Sequence, residues 1–366
     1  MKVVFIRDTF LRAGVLVAQV ISPRPNLPVL GNFLLTANTG SLEITATNLD
    51  TTIVHKIPVR VLLKGSTTVP ARTLLDFCQA LETKQVELTN YKENLVVTAE
   101  QIKARLTTID PSEFPKIGRP EGTKLAAIKK QLLLDGIAQV ALSAAPEEGR
   151  PILTGVSMSG EKNKLVLAAT DGYRLSKKES KIDGTLNAVI PARALREAAK
   201  AIADQEDDSV EVAVDKEKNQ AILKTRNLTM ITRLLEGDFP NYEQIVPDSF
   251  VCEAIINTKE LVDGIKLAAL FAKDVGNVVR MTIAGAELDI SASTVQVGEA
   301  QTRLRPKKIT GNVKAAFNSR FLLEALATIK EKETAMQFSG PTSAAVLKGH
   351  GDQSLVHVVM PVRPQG

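Results

Sequence analysis

Apolar and polar side chains alternate along Ser41-Leu-Glu-Ile-Thr-Ala46, with the period of two that a half-buried strand requires, and Lys164-Leu-Val-Leu-Ala-Ala169, a short apolar run, also reads as a strand. From Asp8 to Val20 the apolar residues include Leu11 and Val15, four apart, and Val17 and Val20, three apart, which predicts a helix at the head of the chain. A second helix is predicted after Pro70 and again after Pro191, because proline pre-sets the first helical turn. The order helix, strands, helix, strands then recurs. It predicts an α+β fold with two helices packed on antiparallel sheets in each unit.

The unit is repeated. Val69-Pro-Ala-Arg-Thr-Leu-Leu75 matches Ile190-Pro-Ala-Arg-Ala-Leu-Arg196, with an offset of 121 between the prolines. Ala46-Thr-Asn48 matches Ala169-Thr-Asp171 at an offset of 123, and Glu113-Phe-Pro115 matches Asp238-Phe-Pro240 at 125. In the last third, Phe317-Asn-Ser-Arg-Phe-Leu-Leu-Glu324 takes the slot of the Pro-Ala-Arg segments, and Ile290-Ser-Ala-Ser293 that of the Ala-Thr pairs. A unit of this length exceeds any solenoid repeat, so each copy is expected to be a domain with its own core. The expected boundaries are 1–122, 123–248 and 249–366, with linkers near 117–122 and around Pro247.

Composition narrows the class. Hydrophobic residues make up 44% of the 366 positions and charged residues 24%, enough for a well-buried core, and without Trp that core is largely aliphatic. No apolar run approaches the ~20 residues of a membrane span, and Met1–Ile6 leads straight into Arg7 and Asp8 rather than into an apolar leader. A cytoplasmic protein without membrane contact is expected. Cys78 and Cys252 lie far apart and read as reduced core thiols rather than as a disulfide or zinc site.

The net charge of +5 permits nucleic-acid binding without demonstrating it. No third of the chain holds a basic tail: the basic and acidic counts are 14 and 11, 18 and 19, and 14 and 11. Basic residues do form stripes. Arg193, Arg196 and Lys200 fall on one face of the helix after Pro191, opposite Leu195, Ala198, Ala199 and Ile202, and Lys259, Lys266 and Lys273 are spaced by sevens. A solvated helix face is the better explanation of any one such stripe, and it weakens when similar stripes recur in equivalent helices of the repeats.

Catalysis is not expected. The three histidines (His55, His350, His357) match no metal-ligand spacing, and His350 and His357 read as a surface pair on a strand. Neither a G-x-x-x-x-G-K-[ST] loop nor a G-x-S-x-G elbow occurs. Asp171, in Thr-Asp-Gly, is explained by turn chemistry. No cofactor and no metal site is implied.

Arg24-Pro-Asn-Leu-Pro-Val-Leu-Gly-Asn32, Thr68-Val-Pro-Ala-Arg72, Ala169-Thr-Asp-Gly-Tyr-Arg-Leu175, Gly237-Asp-Phe-Pro-Asn-Tyr242 and Val358-Val-Met-Pro-Val-Arg363, with the threefold repeat, resemble the bacterial DNA sliding clamps, the beta subunits of DNA polymerase III. The resemblance spans essentially the whole chain. It implies three domains of clamp type in each protomer and a head-to-tail homodimer that closes into a ring, since a heterologous contact closes when its rotation closes. The implied partners are duplex DNA read without regard to sequence, the replicative polymerase, a clamp loader and other clients that dock through short linear peptides.

The resemblance also implies site residues. Arg24, Arg72 and Arg193 fall on positions of DNA-contacting basic residues, with Arg150 and Lys200 added to them; Glu147 stands near a position that carries a neutral polar contact in the family. A client-peptide pocket is implied at Leu153, Thr170, Gly172, Tyr173, Arg174, Leu175, Pro240, Ile245, Val358, Met360, Pro361, Val362 and Arg363, with Asn318 and Phe321 in a second part of the groove. The two arginines are placed at its rim, Ala344 replaces a common hydroxyl, and the tail Pro364–Gly366 runs past the usual family end. For a single member such as Leu175 or Val358, plain core packing is an alternative, and for Arg174 a structural ion pair. Leu270 and Phe271 are implied to meet Ala104 and Leu106 of a second copy. The competing class is a monomeric peptide-binding scaffold that never encircles DNA.

Overall fold

The computed structural model describes residues 1–118, 126–146, 149–273, 276–294 and 298–362. The first repeat holds β1 (Lys2–Ile6), α1 (Arg7–Val17), β2 (Asn32–Asn38), β3 (Ser41–Thr47), β4 (Thr51–Pro58) and β5 (Arg60–Leu63). It continues through β6 (Gly65–Pro70), α2 (Ala71–Ala80), β7 (Gln85–Tyr91), β8 (Asn94–Ala99) and β9 (Ile102–Thr107). The second holds β10 (Ala126–Lys129), α3 (Lys130–Val140), β11 (Gly155–Glu161), β12 (Lys164–Thr170) and β13 (Arg174–Lys181). Then come β14 (Leu186–Pro191), α4 (Ala192–Ala203), β15 (Ser209–Asp215), β16 (Gln220–Lys224) and β17 (Leu228–Arg233). The third holds β18 (Cys252–Asn257), α5 (Thr258–Ala269), β19 (Val278–Ala284), β20 (Glu287–Thr294), β21 (Gly298–Leu304) and β22 (Lys308–Thr310). It ends with β23 (Val313–Asn318), α6 (Ser319–Leu326), β24 (Glu333–Phe338), β25 (Ala345–Gly349) and β26 (Leu355–Val359). The fold is α+β, with three clamp domains, two helices in each, and antiparallel sheets throughout the described residues.

Three expectations about the elements need correction. Each repeat opens on a strand, not a helix: β1, β10 and β18 run directly into α1, α3 and α5. These strands are short, and Val3 and Phe5 of β1 bury their side chains by alternation, a signal too brief to stand out beside the helix that follows. Pro70 and Pro191 close the strands β6 and β14 rather than opening the helices; Pro70, with ψ of 112°, sits in the cap position. Lys273 lies beyond the end of α5, where the chain turns toward Gly276 and Asn277, both at positive φ, so the lysine stripe on that helix shortens to Lys259 and Lys266.

The described chain packs as two compact units, one of residues 1–133 with 193–234 and the other of 134–192 with 235–366. In the first, β5-β1-β7-β8-β9 form one sheet and β10-β15-β16-β17-β4-β3-β2-β6 another. The join between repeats is the antiparallel pair β4 and β17, with His55 opposite Leu228 and Thr51 opposite Thr232. The helices α1 and α2 cross at Gly14, where a Cβ would stand 2.7 Å from the end of the Leu75 side chain and would have to displace it. In the second unit, the sheet β14-β11-β12-β13-β26-β25-β24-β18-β22 is accompanied by β21-β20-β19-β23. Its join is the antiparallel pair β13 and β26, with Arg174 opposite Val359 and Ser176 opposite His357. Leu261 and Ile265 of α5 share one aliphatic core with Leu322 and Leu326 of α6. No helix among the described residues is long and apolar enough to cross a membrane.

Candidate client groove and nucleic-acid surface

The Ala-Thr repeat in the sequence has a structural cause. Thr170 Oγ1 donates to the Arg174 carbonyl (2.6 Å) and accepts from Gly172 N (3.1 Å), while Asp171 Oδ1 accepts from Tyr173 N (2.9 Å) and Arg174 N (3.0 Å). The first repeat makes the same turn. Thr47 Oγ1 donates to the Thr51 carbonyl and accepts from Leu49 N, and Asn48 Oδ1 accepts from Asp50 N and Thr51 N. Both turns need a left-handed residue, Gly172 at φ 90° and Leu49 at φ 79°. In the second repeat the turn holds Tyr173 outward, 68% exposed.

Beside that turn lies an apolar floor. Leu175 and Val358 pack with Ala344 and Val346, and the half-buried Tyr242, Val246, Phe250 and Val356 close over them. Ile245 and Met360 stay partly exposed beside it in sequence, and Pro240, Pro361 and Val362 are half-buried. Main-chain bonds fix the last segment: Met360 N donates to the Tyr173 carbonyl and Val362 N to that of Ala316, each at 2.8 Å. Thr170 is buried in its turn, and Leu153 in a short 3-10 turn, Pro151–Thr154. Asn318 caps α6 by accepting from Arg320 N (2.9 Å). Arg363, Glu147 and the tail Pro364–Gly366 lie outside the described residues. Sequence reasoning missed Tyr242, Val246, Phe250 and Val346, which carry no signal beyond being apolar residues near a turn.

Arg174 is not at a rim. It is 9% exposed and hydrogen-bonds Asp171 Oδ2 (3.0 Å), Glu324 Oε2 (2.5 Å) and the Leu142 carbonyl (2.6 Å), while its guanidinium lies 4.4 Å from the Phe321 ring centre. A buried cation needs such partners, and here they come from three separate segments. The structural ion pair and the groove are therefore one feature, since Arg174 locks the Asp171 turn to α6 and holds Phe321 in place. Burial works to raise the Glu324 carboxyl, but hydrogen bonds and charge from Arg174 and Arg320 outweigh it and hold the group below its ordinary value.

His357 corrects a second expectation. It is 1% exposed, because β26 runs inside the nine-stranded sheet, whereas His350 is exposed at a turn. Its Nδ1 meets Ser176 Oγ (2.7 Å), its Nε2 meets Thr328 Oγ1 (2.8 Å), and Ser176 Oγ meets Ser143 Oγ (2.6 Å). At the corresponding places of the first join stand Val20, Ile53 and Met230, all buried. Burial first, then the charges of Arg174 and Lys178, push the imidazole down to about 3.

An unfolded histidine titrates near 6.5. The unfolded state therefore binds more protons between pH 6.5 and about 3, and stability that is full above 6.5 is lost as pH falls through that window. His357→Gln is expected to flatten the fall of the urea midpoint between pH 6.5 and about 5.5, above the range in which most carboxylates titrate. His55, also depressed by burial, keeps a residual slope. An undiminished slope in the variant would contradict a neutral, buried His357.

The basic residues singled out from the sequence are all on the surface. Arg24 lies in a loop whose main chain is tied by the Ser22 hydroxyl, Arg72 is the second residue of α2, and Arg150 precedes the Pro151–Thr154 turn. On α4, Arg193 and Lys200 are exposed while Leu195, Ala198 and Ile202 are buried, with Ala199 half-buried. Arg193 is 77% exposed and pairs with Glu197 at 3.0 Å. Leu270, 56% exposed, caps the end of α5, and Phe271 packs partly on the core of α5 and α6. Ala104 and Leu106 are half-buried on β9, the edge strand of its sheet, and β21 is likewise an edge.

Known families decide what this arrangement is. The DNA polymerase III beta subunit models match in chain order: the N-terminal domain over residues 1–118, the central domain over 127–241 and the C-terminal domain over 243–363. The chain belongs to the bacterial sliding clamp family. The beta sliding clamp of Staphylococcus aureus is 27% identical over 98% of both chains. The Bacillus subtilis DNA polymerase sliding clamp superposes with a TM-score of 0.95 at 26% identity over 99% of each chain. A Pseudomonas aeruginosa clamp bound to griselimycin gives 0.94 at 25% identity, again over 99% of each. Members of this family are clamps that serve a DNA polymerase, and nothing in these likenesses favours a free-standing scaffold.

Proposed function

We propose that two copies of this chain join head to tail into a ring that encircles duplex DNA, and that the groove beside Leu175 tethers the replicative polymerase, a clamp loader and other clients by short peptides. The supporting observation is the division of labour on a repeated frame. One repeated turn carries an apolar floor with an ordered rim, and the repeated helices carry exposed cations backed by buried aliphatic faces. Sliding needs phosphates to be met by charge and bases to be left unread. Arg24, Arg72, Arg150, Arg193 and Lys200 supply long, exposed side chains for that purpose.

The free edges β9 and β21 suit a protomer contact that continues the sheets and covers their unpaired main-chain groups. In this reading Leu270 and Phe271 of one copy pack on Ala104 and Leu106 of the other. The domain boundaries we adopt are 1–122, 123–248 and 249–366. The ring itself has no chemistry to perform, and we assign it no cofactor and a cytoplasmic place beside the replication machinery.

The test is retention on DNA. Loaded protein should stay on a nicked circle and run off the same DNA once linearised. Arg24→Ala with Arg193→Ala should lower affinity on every sequence alike and reduce the slope of log K against log salt by ~2, since each phosphate contact contributes roughly 0.9. Equal retention on circle and line, or a loss confined to one sequence, would remove the encircling reading.

A further inference from the structure

The two helices that follow the repeated strand ends, α4 and α6, carry the same ion pair. Arg193 and Arg320 are each the second residue of their helix, each is exposed (77% and 73%), and each holds the glutamate four residues on, at 3.0 and 2.7 Å. Their buried faces match as well, Leu195 and Ala198 in α4 and Leu322 and Ala325 in α6. Arg320 therefore stands in the third domain where Arg193 stands in the second. Glu324 differs from its counterpart Glu197 in what it faces. Its Oε1 accepts from Arg320 Nε and its Oε2 from the buried Arg174, whereas the first join has Thr51 where Arg174 stands in the second.

We propose that Arg320 is a further contact for duplex phosphates, and that Glu324 links it to the client groove by holding Arg320 with one carboxylate oxygen and Arg174 with the other. The inference rests on the encircling reading given above. An exposed pair at four-residue spacing is weak and salt-screened, so a phosphate can replace Glu324 as the partner of Arg320 at little cost. The Arg174 side of the same carboxylate is buried and stays. One acidic side chain thus restrains the surface cation and orients the groove arginine, and its removal acts on the two sites in opposite senses.

The experiment is a salt titration of the full-length protein on a short duplex, with griselimycin as the groove probe. Arg320→Ala is expected to weaken duplex binding about three- to tenfold at low salt, to lower the salt slope by ~1, and to leave griselimycin affinity within about twofold. Glu324→Gln is expected to raise duplex affinity and steepen the slope while weakening griselimycin, and Glu324→Asp, which keeps the charge but shortens the reach, serves should the first variant unfold. Arg193→Ala is the reference. If Arg193→Ala lowers the slope and Arg320→Ala does not, the assignment of Arg320 is overturned and the ring stands. If neither does, the encircling reading falls first. Glutamate variants that move both affinities together, or neither, overturn the link.

Discussion

Leu270→Ala combined with Phe271→Ala is expected to convert the dimer into monomers at low micromolar concentration. In the protomer Leu270 is more than half exposed at the end of α5, and Phe271 is only partly covered by its own core. Fully burying side chains of this size contributes about 1.5–3 kcal/mol each. Losing both would weaken association by roughly 3–5 kcal/mol, or some two to three orders of magnitude in Kd. Ala104, the small residue that the proposed contact sets opposite, offers little to compensate. Sedimentation velocity reads the outcome directly: a dimer mass that persists in the double variant would refute the contact. The folded protomer should survive, because neither side chain lies among the fully buried core of α5 and α6.

Arg174→Ala is expected to cost a similar amount but to act inside the protomer. The substitution leaves Asp171 and Glu324 without their shared cation and the Leu142 carbonyl without its donor. Removing one member of a buried pair costs about 3–5 kcal/mol, and the loss should be confined to the unit of residues 134–192 and 235–366. Hydrogen exchange should speed up along β13 and β26 while β4 and β17 keep their protection. Client-peptide binding at the proposed groove should fall with it, because Phe321 loses the guanidinium that lies over its ring. Full peptide affinity at an unchanged urea midpoint would mean that Arg174 neither braces the fold nor shapes the groove.

Much of this was readable in the letters. The repeat was visible because the turn at Thr47 and Thr170 uses side-chain oxygens at fixed positions, and such a turn tolerates few substitutes. The helices α2 and α4 were visible because each starts directly after a proline, at Ala71 and Ala192. The opening strands were not, since four or five residues before a helix give too short an alternation to separate from it. Arg174 was named, but its depth was not foreseeable: its partners Leu142 and Glu324 stand 32 and 150 residues away. His357 was misplaced for a related reason. A histidine reads as surface until the strands on both sides of it, β13 and β25, are known to bury it.

The joins β4 to β17 and β13 to β26 carry a consequence for heredity. The copied segment was the piece that duplicated, yet a middle copy cut out alone would expose two raw strand borders, at Arg174–Lys181 and at Leu228–Arg233. Duplication thus made a module of ancestry that is not a module of folding, and the central copy depends on both siblings to finish its sheets.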